Sequence, residues 1–65
     1  MTRDPRIDPK AGDVLRKNSL SRRVVEVASM DVYWCRDGSD RRVQPAWIST
    51  WRAWARDAEV LTVAP

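Results

Sequence analysis

Three of the four tryptophans in this chain stand at 47, 51 and 54, inside the stretch from Ala46 to Ala58. Spacings of four and then three belong to one face of an α-helix. Trp47, Trp51, Trp54, Ala55 and Ala58 share that face, and Arg52, Ala53, Arg56 and Asp57 share the other. A chain of 65 residues has few ways to build an interior. It buries only about 60% of its unfolded surface, so something must reinforce it. A single cysteine, Cys35, excludes an intramolecular disulfide, and without histidine it makes no zinc site. Dense aromatic packing or self-association remains. The helix is expected to begin at Ser49 or Thr50, either of which can cap it, and to end near Ala58. Trp47, at its entrance, is the tryptophan expected to be partly exposed.

Upstream, the pattern changes from helical to alternating. Gly12-Asp13 reads as a turn into a strand at Val14–Lys17, closed by Asn18-Ser19-Leu20-Ser21. Arg22–Ala28 is β-branched and alternating, and Asp31–Arg36 follows it after a tight Ser29-Met30 connection. Asp37-Gly38 predicts a two-residue type I′ hairpin, with Asp40–Gln44 as the return strand and Pro45 as its end. Two-residue loops at both places set Val27 opposite Val32 and Val25 opposite Trp34, then Val43 opposite Val32 and Arg41 opposite Trp34. Val25, Val27, Val32, Trp34 and Val43 then form one inward face, joined in the core by Trp47, Trp51 and Trp54. Val24, Glu26, Tyr33, Cys35, Asp40 and Arg42 point outward.

After the helix, Glu59–Val63 reads as a last strand. Residues 1–11, with alternating charge and two prolines, read as an extended flexible arm ahead of one small domain at 12–65. The expected fold is mainly β: a bent five-stranded barrel of Src-homology-3-like or Tudor-like layout, with one short helix at about 49–58 before the last strand.

The net charge is +3, and its excess lies in residues 14–45. Arg16, Lys17, Arg22, Arg23, Arg36, Arg41 and Arg42 stand there against Glu26, Asp31, Asp37 and Asp40. Small basic domains meet acidic proteins or nucleic acid, or are simply well solvated. Tyr33, on the outward face of the central strand beside Arg42 and near Arg36, could grip an acidic segment or stack a base. The pairs Arg22-Arg23 and Arg41-Arg42 complete the candidate binding face, with Arg42 and Arg22 expected outward.

No catalytic constellation is visible. Histidine, the commonest general base, is absent, and Gly12 and Gly38 stand too far apart to form a phosphate-binding loop. The chain is expected to be no enzyme and to need no cofactor or metal. The lone cysteine suits a reducing compartment. No apolar run approaches the roughly 18 residues of a membrane span, and Met1–Pro5 holds no signal-peptide apolar region. A cytoplasmic protein without a membrane partner is expected.

Gly12-Asp13-Val14-Leu15, Arg23-Val24-Val25-Glu26-Val27, Val32-Tyr33 and Trp51–Val60 together resemble small proteins encoded by phages and prophages of GC-rich bacteria. The resemblance covers roughly residues 9–63 and implies a Src-homology-3-like barrel. Its motifs are fold motifs, so it transfers no functional residue. It implies an accessory protein that binds a host or defence-system protein. The alternatives are a nucleic-acid-binding module, with Arg22, Arg23, Arg36, Arg41 and Arg42 on phosphates, and a structural subunit of a larger assembly.

Overall fold

The computed structural model describes residues 3–38 and 42–65. Five antiparallel strands form one sheet, ordered β4-β3-β2-β1-β5, with one helix before the last strand. The strands are β1 (Val14–Lys17), β2 (Leu20–Ala28), β3 (Asp31–Arg36), β4 (Gln44–Trp47) and β5 (Glu59–Thr62). The helix, α1, spans Ile48–Ala55. The sheet is not closed: β4 and β5 are its two edges.

Two tight turns build the meander. Lys17 faces Leu20 across Asn18-Ser19, and Ala28 faces Asp31 across Ser29-Met30, as the sequence predicts for the second. Asn18 (φ 60°) and Ser29 (φ 57°) take the left-handed conformation at the first loop position. Asn accepts that conformation more readily than most residues because its short amide bonds locally.

The long central strand β2 departs from simple alternation. Val27 faces Val32 and Glu26 faces Tyr33, but Val24, not Val25, faces Trp34. Val25 is the extra residue of a β-bulge, which bends the strand and moves every residue before it to the opposite face. Val24 therefore enters the core, while Val25 stays exposed. The bulge also turns Arg22 inward and Arg23 outward, the reverse of the expected assignment.

The second hairpin is longer than Asp37-Gly38 predicts. Gly38 has φ 107°, but Asp37 has no positive φ, so a type I′ turn is excluded. Asp37 N–H instead donates to the Ser21 carbonyl at 2.9 Å, prolonging the β2–β3 pairing, and β4 begins only at Gln44. Gln44 faces Trp34 and Ala46 faces Val32, three residues later than expected for Arg41 and Val43. Val43 consequently precedes the strand and is exposed. Asp40 and Arg41 lie outside the described residues. Pro45 does not end the strand but sits within it. An edge strand tolerates a residue that lacks an N–H.

Helix α1 starts before Ser49. Trp47 occupies the N-cap position with no side-chain cap, and Ile48 N–H donates to the Met30 carbonyl at 2.7 Å. The hairpin turn thus satisfies one of the helix's orphan amides in place of a capping hydroxyl. The helix packs against β4 and β3. Leu15, Val24, Val32, Trp51, Ala55 and Ala58 form the buried core, with Trp34, Ile48, Trp54 and Val60 packed around it. Trp51 and Trp54 rings stand 5.3 Å apart, tilted by 45°.

Of the eight residues expected in the core, Val32, Trp34, Trp51 and Trp54 are there. Val25, Val27, Val43 and Trp47 are not. Val27 does face Val32, but it lies at the turn end of β2, while the helix packs against β3 and β4. Trp47 ends β4 on the outer side of the sheet, and is 67% exposed.

Residues 3–11 fold against the domain. A turn at Pro5–Ile7 leads the chain past the helix, where Trp51 Nε1–H donates to the Pro5 carbonyl at 3.1 Å. Arg52 Nε–H donates to the Ile7 carbonyl at 2.9 Å, and Pro5 and Pro9 are buried. Asp13, fully buried, gathers the chain ends: its carboxylate accepts from Arg3, Lys10 N–H and Ala64 N–H. Burial alone would raise the Asp13 pKa, but the Arg3 guanidinium and the two amides outweigh it and hold the carboxyl below its usual value.

Candidate interaction surface

Strand pairing decides which side chains meet on each face. On the outer face, Tyr33 stands between Glu26 of β2 and Pro45 of β4, and Asp31 stands between Ala28 and Trp47. Cross-strand partners on one face lie about 4.5–5.5 Å apart at their Cβ atoms. Tyr33, Pro45 and Trp47 therefore form a continuous aromatic and proline surface, with Glu26 and Asp31 beside it. A shallow depression of about 230 Å³ is lined by Asp31, Pro45, Ala46 and Trp47. Met30, 58% exposed, adds an apolar side chain at the turn next to it.

This surface contains Tyr33 but not the arginines expected around it. Arg42 precedes β4, so Pro45 takes the place opposite Tyr33. Arg23 points outward opposite Cys35 and lies 4.0 Å from the Asp37 carboxylate. Cys35 itself is a buried thiol.

Arg22 lies on the inner face, where its guanidinium carbon sits 3.9 Å from the Trp34 ring centre and 4.2 Å from that of Trp54. Arg36 stands directly opposite Arg22 on β3. Burial first, and then repulsion from Arg36, lower the Arg22 pKa. Lys17 Nζ donates to the backbone carbonyl of Trp54 at 3.2 Å. The basic residues thus divide between two faces instead of forming one stripe, and Arg41 lies outside the described residues.

A second concavity, of about 540 Å³, lies between the N-terminal segment and the outer side of α1. Asp4, Arg6, Ile7, Ser49, Arg52, Ala53 and Arg56 line it. Arg52 and Arg56 share the polar helix face legible in the sequence; the contribution of Arg6 and Ile7 depends on how residues 3–11 fold back. Among the described residues, no group of three or more His, Cys, Asp or Glu is arranged to hold a metal. No helix among the described residues is long and apolar enough to cross a membrane. Comparison with protein-family models finds no match, and comparisons with curated proteins and with solved structures find none either.

Proposed function

We propose that this chain is a non-enzymatic protein-binding module that recognises its partner through Tyr33, Pro45 and Trp47. The observation that carries this reading is the exposure of Trp47: a tryptophan left 67% in solvent beside Pro45 and Met30. Tryptophan and tyrosine are the residues most enriched at the energetic centres of protein interfaces. Apolar surface rimmed by polar groups marks an interaction site, and Asp31 and Glu26 supply that rim.

The resemblance to small phage and prophage proteins extends the reading to an accessory protein acting on a host or defence-system protein. The strand order, the bulged β2 and the helix before β5 support describing the sheet as an open Src-homology-3-like barrel. A nucleic-acid module would gain from one continuous row of cations, and Arg22 and Arg23 point to opposite faces.

The test is photo-cross-linking in host cells, with a cross-linkable residue in place of Trp47 and a control in place of Arg52. Cross-linked proteins are identified by mass spectrometry. A partner captured from position 47 alone, and lost by the Trp47→Ala protein in a binding assay at unchanged melting temperature, supports the reading. Equal capture from both positions overturns it, as does unchanged affinity of Trp47→Ala. Steeply salt-dependent binding to DNA or RNA between about 50 and 200 mM salt would put the nucleic-acid reading in its place.

A further inference from the structure

The Arg22 guanidinium packs over two indole rings. Trp34 and Trp54 lie over it at 3.9 and 4.2 Å. The rings offer no lone-pair acceptor, so the five N–H donors of the guanidinium still need acceptors. Among the described residues, Arg22 donates to no protein acceptor and lies within salt-bridge distance of no carboxylate. No buried polar side-chain atom among them lacks a partner either, so the donor edge of Arg22 reaches solvent. The result is a guanidinium packed against two rings with donors open to solvent.

The neighbours of this fork are cations. Arg36 is its direct cross-strand partner, and like charges in that relation destabilise a sheet. Lys17 Nζ is anchored on the Trp54 carbonyl beside it. Arg36, too, has no carboxylate within salt-bridge distance among the described residues. The nearby acid, Asp37, lies toward Arg23 on the other face. A local excess of positive charge, containing one immobilised fork, has the chemistry of an anion receptor. Arginine forks match the paired oxygens of carboxylates and phosphates, and less entropy is lost when the fork is already fixed.

We propose that Arg22 and Arg36 form a binding site for a single oxyanion group, a carboxylate or a phosphate, with the indoles of Trp34 and Trp54 holding Arg22 in place. The site is on the opposite face of the sheet from Trp47 and does not depend on the protein-binding reading.

The test is a titration of the whole chain with inorganic phosphate and, separately, with an acetylated pentaglutamate peptide. Sodium chloride at matched ionic strength is the control. The arginine Nε–H resonances and tryptophan fluorescence report on the site directly. A saturable shift of the Arg22 Nε–H signal is expected with phosphate, with the peptide, or with both, and these arms identify the source of the oxyanion. Arg36→Gln keeps Trp34 and Trp54 over Arg22 and is expected to weaken binding about tenfold without lowering the melting temperature, the loss of one charge-assisted contact. Arg22→Lys keeps the charge but not the fork and is expected to weaken binding by at least as much. A shift that is linear and equal in chloride overturns the proposal, as does saturable binding unchanged in Arg36→Gln.

Discussion

The carboxylate of Asp13 and the guanidinium of Arg3 meet in a two-point ion pair that joins the N-terminal segment to the start of β1. Arg3 also donates to the Ala64 carbonyl at 2.8 Å, and Ala64 N–H donates back to Asp13 at 2.7 Å. One buried carboxylate therefore ties both ends of the chain to the sheet. Removing the Arg3 side chain would leave the buried Asp13 carboxylate with its two backbone N–H donors alone.

This arrangement makes stability depend on acid. The Asp13 pKa is lowered in the folded chain, so its contribution is present above the unfolded value, about 3.9, and is lost as pH falls through the folded value. Thermal melts should be flat from about pH 7 to 5 and fall below about pH 4. Asp13→Asn should melt lower at neutral pH and lose the part of the acid dependence that Asp13 supplies. Parallel melts of the two proteins from pH 3 to 7 would expose the assignment as wrong if their slopes in acid were the same.

The tryptophans should separate into two kinds. Trp51 is fully buried and bonded to the Pro5 carbonyl, so Trp51→Ala should cost about 3–5 kcal/mol, enough to unfold a domain of this size. Trp47→Ala should stay within about 0.5 kcal/mol, as exposed positions do. Urea unfolding of both variants measures the difference.

The bulge at Val25 makes the two adjacent arginines unequal. Arg22→Ala removes a cation stacked on two indoles and should cost about 1–2 kcal/mol, with a change in tryptophan fluorescence. Arg23→Ala, on the outer face, should remain within about 0.5 kcal/mol with its emission unchanged. The opposite pattern would mean that β2 alternates without a bulge.

Gly12 has φ 100°, and a Cβ added there would lie 3.2 Å from the Ala64 Cβ. Its N–H also donates to the Val24 carbonyl at 2.8 Å, so the backbone cannot easily shift away. Gly12→Ala should therefore lower stability by more than about 1 kcal/mol, measured by urea unfolding. Gly38→Ala meets no atom within 4 Å but shares the positive φ, so it should show the backbone part of the cost alone.

Much of the local structure is legible in the residues themselves. Val14–Lys17 and Asp31–Arg36 have their observed bounds, and the Ser29-Met30 turn lies where expected. Trp51, Trp54 and Ala55 share the packed side of α1, which ends at Ala55 and not near Ala58 as expected, although Ala58 is buried beside them. These follow from periodicity and turn chemistry, which act over a few neighbouring residues. The return strand pairs three residues later than Asp37-Gly38 predicts, because that turn signal is local and the Asp37–Ser21 bond that overrides it is long-range.

The candidate surfaces lay further from view. Alternation alone cannot reveal that Val25 is an extra residue, because a bulge is set by how a long central strand must bend between its neighbours. That one residue reverses Arg22 and Arg23, brings Val24 into the core and creates the stacked guanidinium. Likewise, Trp47 continues the helical spacing of Trp51 and Trp54, yet the chain is still in β4 when it reaches that position. The sequence by itself determined the strands, the central turn and the Trp51–Trp54 face, through side-chain period and backbone preference. Only the tertiary structure decided register and bulge, because those depend on hydrogen bonds and packing between distant residues.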